Sequence, residues 1–209
     1  MIWAILQEKF RWRKHYRRWK EKNSHNFCEI QSYFNIDNVT IGKNSYGMIN
    51  AHIYNNPEEK LSIGSFCSIA EGVHFVFSEH DYHRMCMFPF TRYVMKGEEN
   101  NTTKGPIKVE DDVWIGQGSM ILSGVTIHQG AVIGAGSVVA QDIPPYAVYA
   151  RGEIIKYRFE PEIIEALLQI DYSRLTDKMV SENLGILYSS DPAEWLGSDL
   201  YRQLTSDRK

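Results

Sequence analysis

The amino-acid sequence predicts an all-β solenoid, a stack of short parallel strands, and three observations predict it. From Ile107 to Ile143 apolar residues recur every six positions, at Val109, Ile115, Ile121, Ile127, Ile133 and Val139. A second series two residues ahead, Ile107, Val113, Ser119, Val125, Ala131, Ser137 and Ile143, holds small or β-branched side chains. Both series also run earlier in the chain, with Ile63, Ile69 and Phe75 in the first and Leu61, Cys67 and Val73 in the second. Neither the 3.6 period of a helix nor the period of two of a hairpin yields a strict six, whereas a fixed-period repeat marks a solenoid. Each hexamer then supplies one short strand and a turn. The aliphatic residue points inward, the small residue fits beside it, and Gly116, Gly130 and Gly134 take bends that a β-carbon would strain.

In chain order, residues 1–35 read as a basic helix and a linker. Eight cations between Lys9 and Lys22 face only Glu8 and Glu21, a local charge of +6. Ile2, Trp3, Leu6 and Phe10 share part of one helical face, with Trp12, Tyr16 and Trp19 nearby. Such a helix can cap the open end of a solenoid or pack on a neighbouring subunit, and a basic amphipathic helix can also rest on an anionic membrane. Residues 36–150 hold the repeat, with imperfect hexamers around Ile41 and Ile49 and a charged turn at 55–59. Within it, residues 76–106 break the period, and an excursion this long from a rigid repeat is a natural place for function. Residues 151–209 read as a helical extension: EIIEALLQI carries an amphipathic stripe after Pro161, and LTDKMVSENLGIL and PAEWLGSDLYRQL suggest two further short helices.

The chain has 209 residues, 43% of them apolar, and a net charge of −3, enough for one core. No apolar run reaches the length of a membrane span, and the N-terminus lacks the apolar segment of a signal peptide. Cys28, Cys67 and Cys86 are odd in number and have no metal-type spacing, so reduced thiols of a cytoplasmic protein are expected. Cys67 falls on the small-residue series and is expected to be buried. The acidic balance outside the N-terminal helix argues against nucleic acid as a partner.

The motif [LIV]-G-x-x-[SA]-x, with DVWIG at its start and GAGSVV near its end, resembles the hexapeptide-repeat acyltransferases. That resemblance implies a left-handed parallel β-helix of triangular section. The segment EHDYHRMCMFPF resembles the histidine loop of the xenobiotic acetyltransferase branch, which includes chloramphenicol and streptogramin acetyltransferases and polysaccharide O-acetyltransferases. The branch places a histidine shortly before an aromatic-Pro-Phe, here Phe88, Pro89 and Phe90. His80, nine residues before Pro89, is the candidate general base, and His83, in a His-Arg dipeptide, is the alternate.

The resemblance further implies acetyl-coenzyme A as cosubstrate and direct transfer to a hydroxyl or amine. Trp114 and the small residues Gly134, Ala135 and Gly136 are expected near the pantetheine arm, and Lys156 and Arg158 near the coenzyme phosphates. The family's Asn-Pro turn is replaced here by Glu153-Ile154. A homotrimer is implied, with the histidine loop of one subunit facing its neighbour. The related γ-class carbonic anhydrases need three converging histidines; after the loop only His128 remains, so no metal is expected. Asn50, Tyr54 and Tyr82 are candidates for acceptor binding. Three functions follow: sugar acetylation for a cell-surface polysaccharide, with residues 1–22 against the inner membrane face; antibiotic inactivation; and a non-catalytic scaffold.

Overall fold

The period of six reappears as a strand-pairing register. In the computed structural model, which describes residues 2–54, 56–98 and 102–205, the repeat holds β1 (Phe27–Ile30), β2 (Val39–Ile41), β3 (Tyr46–His52), β4 (Leu61–Ile63), β5 (Ser68–Ile69), β6 (His74–Val76), β7 (Ile107–Val109), β8 (Trp114–Ile115), β9 (Met120–Leu122), β10 (Thr126–Ile127), β11 (Val132–Ile133), β12 (Val138–Val139) and β13 (Ala147–Ala150). Met1, Asn55, residues 99–101 of the inserted loop, residues 206–209 and the side chains of Ile2 and Ala4 lie outside the described residues.

Three consecutive strands visit three different sheets before the chain returns to the first. β2, β4, β7 and β10 pair in parallel as one sheet. β1, the start of β3, β5, β8, β11 and β13 form the second. The end of β3, β6, β9 and β12 form the third. Every residue of both periodic series between Ile107 and Ile143 is at most 4% exposed. Stacked inward isoleucines therefore form a continuous column, each contributing roughly 1.5–3 kcal/mol by burial.

Corners follow the same arithmetic. Asn44, Phe66, Asp112, Gly130 and Tyr146 each stand three residues after an inward aliphatic of the first sheet, and all adopt positive φ between 55° and 70°. A non-glycine residue there costs about 1–2 kcal/mol, and three of the four point a useful side chain outward. Phe66 meets Tyr172 at 6.0 Å, Tyr146 meets Phe159 at 5.9 Å, and Asp112 pairs with Arg158 at 3.4 Å. These corner residues are the anchor on which the C-terminal segment docks.

Outside the coils, α1 (Ile2–Lys22) caps the first turn of the stack. Trp19 is fully buried and its indole N–H donates to the Cys28 carbonyl at 2.9 Å. Lys22 closes the open edge by donating to the carbonyls of Ile36 and Val39 at 2.7 and 2.8 Å. Trp3, Leu6 and Phe10 do not join Trp12, Tyr16 and Trp19 against the core but stay exposed. The 27–30 segment, read from sequence as linker, pairs as β1 because its alternate residues Cys28 and Ile30 are buried. α2 (Phe90–Tyr93) is a single turn within the loop.

At the other end the chain leaves β13 by a two-residue turn, Arg151-Gly152, with φ of +58° and +86°, and returns antiparallel as β14 (Glu153–Tyr157). Two consecutive positive φ values are the signature of a tight primed hairpin turn, so the bend is made at Arg151-Gly152, and Glu153-Ile154, which stand in place of the family's Asn-Pro, open the returning strand. The helical segment follows: α3 (Pro161–Leu167), α4 (Asp177–Glu182), α5 (Leu184–Leu187), α6 (Pro192–Gly197) and α7 (Asp199–Thr205). Each of the two later expected helices is split, at Asn183 and at Ser198, where a polar residue caps one piece before the next begins.

Candidate active site

The inserted loop leaves the third sheet after β6 and rejoins the first at β7, so it occupies the corner between them. Phe77 is its last buried residue. Beyond it, Glu79 and Thr102 exchange backbone hydrogen bonds at 2.9 and 3.3 Å, and the Thr102 hydroxyl donates to the Glu79 carbonyl at 2.8 Å. Lys104 stands 3.7 Å from the Glu79 carboxylate. The two ends of the loop are thus tied directly beneath His80.

His80 is exposed, and its Nδ1 lies 3.0 Å from the Met87 carbonyl oxygen. A carbonyl can only accept, so Nδ1 carries a proton, and in the neutral ring Nε2 presents the lone pair. That is the tautomer a general base requires. The ring opens on a cleft of about 350 Å³ lined by Tyr54, Ser78, Glu79, Asp81, Arg84 and Arg92, among others. Its polar lining suits a ligand rich in hydroxyl groups.

The other expected residues are distributed unevenly. Tyr54 lines the His80 cleft. Asn50 is buried, its amide donating to the Val73 carbonyl at 3.0 Å and accepting from Gln31 at 2.9 Å. The Tyr82 and His83 rings meet in a tilted contact, with centroids 4.4 Å apart, and are not among the cleft residues. Trp114 is 54% exposed on the outer row of the second sheet. Gly134–Gly136 turn the corner from the second sheet to the third, with the Gly134 N–H bonded to the Tyr149 carbonyl and the Gly136 N–H to the Gln117 carbonyl. Within one chain, His80 and this group therefore stand at different corners of the stack.

Lys156 is exposed on β14. Arg158 is committed: it donates to the Gly130 carbonyl at 2.7 Å, pairs with Asp112 and lies 5.3 Å over the rings of both Tyr146 and Phe159. Burial raises the Asp112 carboxyl above the ordinary range, and the Arg158 charge opposes that shift. Cys67 is fully buried, and burial pushes its thiol up to about 12. A thiol held neutral at working pH is no nucleophile. Among the described residues no three His, Cys, Asp or Glu side chains converge as metal ligands would.

Two features escaped the sequence reading. Glu59, in the charged turn, is fully buried under the loop. His52 and His74, on neighbouring coils of the third sheet, stack with facing nitrogens 2.9 Å apart, and burial followed by the His74 charge lowers the His52 pKa. Only the register of the coils brings either set together.

Comparison with known proteins bears on this arrangement. The family of bacterial transferase hexapeptides (six repeats) matches residues 106–141. A probable macrolide acetyltransferase of Lysinibacillus sphaericus is 36% identical over 155 residues, covering 69% of this chain and 86% of that protein. The chain belongs to the hexapeptide-repeat acetyltransferases. A chloramphenicol acetyltransferase of Agrobacterium fabrum is 33% identical over 65% of this chain and 75% of its own length. The crystal structure of a hexapeptide-repeat acetyltransferase from Vibrio cholerae complexed with acetyl-coenzyme A is 28% identical, covers 65% of this chain and 66% of that one, and superposes with a TM-score of 0.47. As a member of the hexapeptide-repeat acetyltransferases the protein is an enzyme that uses acetyl-coenzyme A as cosubstrate, and the scaffold alternative falls away.

Proposed function

We propose that this hexapeptide-repeat acetyltransferase transfers the acetyl group to a hydroxyl of a sugar in a cell-surface polysaccharide, with His80 as general base. The observation that carries the reading is the His80–Met87 bond, which in the neutral ring puts the lone pair on Nε2, beside a polar cleft. In the transfer, Nε2 takes the proton of the acceptor hydroxyl as its oxygen attacks the thioester carbonyl. Backbone N–H donors meet the developing oxyanion, and the coenzyme leaves as its thiol. No acyl-enzyme forms, so no cysteine takes part. His83, turned onto Tyr82, is a poorer base.

Trp114 and the 134–136 corner receive the pantetheine arm in this reading, and Lys156 the phosphates, while Arg158 serves the C-terminal anchor instead. Since these groups lie at a different corner from His80, the complete site forms between subunits of a homotrimer wound as a left-handed β-helix. A cyclic trimer needs two different complementary surfaces on each protomer. The outer rows support that: the second sheet presents Phe27, Tyr46, Trp114 and Val132 with one polar residue, Ser68, and the third sets Met120 and Val138 beside Asn50 and His74, whereas Thr40, Ser62, Lys108 and Thr126 on the first are polar.

The substrate would be met at the inner face of the membrane. Trp3, Leu6 and Phe10 remain uncovered at the start of a helix that carries eight cations from Lys9 onward, a pairing of apolar and basic residues suited to an anionic lipid surface. No helix among the described residues is long and apolar enough to cross a membrane.

Antibiotic acetylation is the second reading, favoured by the names of the macrolide and chloramphenicol relatives. Release of coenzyme A thiol separates the two. Turnover with nucleotide-linked or lipid-linked sugars but not with chloramphenicol or a streptogramin, lost in His80→Ala and kept in His83→Ala, supports the first; turnover only with a drug establishes the second.

A further inference from the structure

Glu59 has no exposed surface, yet it carries a carboxylate. Taking such a group out of water costs several kcal/mol unless hydrogen bonds replace the lost hydration. Here Oε2 accepts the Tyr54 backbone N–H at 2.6 Å and Oε1 accepts the Ser78 hydroxyl. The Glu59 carbonyl is fixed separately by the Asn38 amide at 3.0 Å. Both of these donors are neutral, and among the described residues no cation pairs with the carboxylate.

Those two donors are not arbitrary pieces of chain. Tyr54 and Ser78 both line the His80 cleft, on opposite sides of the turn and the loop, and Ser78 is two residues before His80. Immediately after Ser78 the backbone is locked by the Glu79–Thr102 pair, and His80 itself is aimed by Met87. A connected path of hydrogen bonds and short chain segments therefore runs from Glu59 through Ser78 and Glu79 to the imidazole. The Glu59 oxygens are turned to these donors and away from the cleft.

We propose that Glu59 is a positioning residue for acetyl transfer: its carboxylate clamps the Tyr54 wall of the cleft to the start of the histidine loop and so fixes the His80 ring relative to the bound acceptor. The inference rests on His80 being the base. Glu59→Gln keeps the volume but offers one acceptor oxygen to two donors and sets an NH₂ group against one of them. Misplacing a reacting group by about an ångström costs on the order of a hundredfold in rate.

The test compares the full-length protein with Glu59→Gln, Ser78→Ala, the double variant and His80→Ala. Steady-state kinetics with acetyl-coenzyme A and the accepted sugar, thermal melting, and the ¹⁵N resonances of the His80 ring are read for each. Glu59→Gln is expected to lower kcat roughly ten- to hundredfold with the KM for acetyl-coenzyme A within about twofold. Ser78→Ala should lower it less, and the double variant should be no worse than Glu59→Gln, because both act through one contact. The ring should pass from a predominant Nδ1–H tautomer to a mixture. An unchanged kcat in folded Glu59→Gln, or a loss of rate that only tracks a fall in melting temperature while the tautomer stays fixed, overturns the proposal. Full activity in His80→Ala would instead sink the base assignment, and the ring resonances would still show whether Glu59 orients that histidine.

Discussion

Between Ile107 and Ile143 both inward series of the repeat are buried almost without remainder, whereas from Ser78 to Glu98 not one described residue is buried. The two regions also spend their apolar residues differently. In the coils every isoleucine of the series stacks on an inward apolar residue of a neighbouring coil, Ile133 on Ile115, Ile121 on Phe75 and Ile127 on Val109. In the loop, Tyr82, Met85, Phe88, Phe90, Tyr93 and Met95 are all exposed. A repeat of short strands gains stability locally, coil on coil, and can hold an unstable excursion without depending on it. Since an uncovered apolar cluster of this kind marks a contact surface, the loop's own order belongs to the assembled trimer in our reading.

The sharpest test of this contrast separates activity from stability. His80→Ala should reduce kcat by about 10²–10⁴-fold while leaving the melting temperature unchanged, since the ring is exposed and supports only one bond to Met87. Ile121→Ala should do the reverse. Ile121 is fully buried in the column, and truncation should cost about 2–5 kcal/mol in denaturant unfolding. If the loop is ordered by a neighbour, Phe90→Ala should leave the unfolding of the coils within about 0.5 kcal/mol yet weaken the oligomer in sedimentation.

Smaller effects are graded by the corners. Gly130 and Gly136 have nearly the same φ, +70° and +69°. A β-carbon at Gly130 would fall against the Tyr146 ring, whereas at Gly136 it would meet nothing within 4 Å. Gly136→Ala should therefore cost only the backbone term, about 1–2 kcal/mol. Gly130→Ala should exceed it by about 1–3 kcal/mol, measured as the difference between the two unfolding midpoints.

Thiol chemistry gives the gentlest comparison. Burial pushes Cys28 and Cys67 up to about 12, favouring the neutral thiol, so at pH 8 neither provides a thiolate. Cys86, in the loop, is exposed. A chromogenic disulfide reagent should titrate one thiol in the native protein and all three after unfolding; rapid native reaction of Cys67 would show that the coils open.

Legibility in the sequence followed the same division. The coils were readable because each inward position repeats a local rule: an aliphatic residue every six, a small neighbour two before it. The loop showed as a break in that rule, and its resemblance to the histidine motif singled out His80 as the candidate base but could not orient it. Of the acceptor candidates, Tyr54 lines the His80 cleft, whereas Asn50, in register with His74 on the third sheet, is buried with its amide bonded to the Val73 carbonyl and to Gln31. β14 was missed because the positive-φ pair Arg151-Gly152 looks like a coil end until the antiparallel return is seen.

The sequence by itself determined the period, the break in it, the loop that carries His80 and the family. Those are properties of short-range pattern: a side chain's direction in a strand and a turn's tolerance are set within six residues. Tertiary structure decided which distant residues meet. The stacking of coils brought Glu59 under Ser78, His52 against His74, and Arg158 onto Asp112. It also separated His80 from the Trp114 corner, because a chain that turns through three sheets per coil places motifs by their phase around the axis, which no linear spacing across an insertion of variable path can specify.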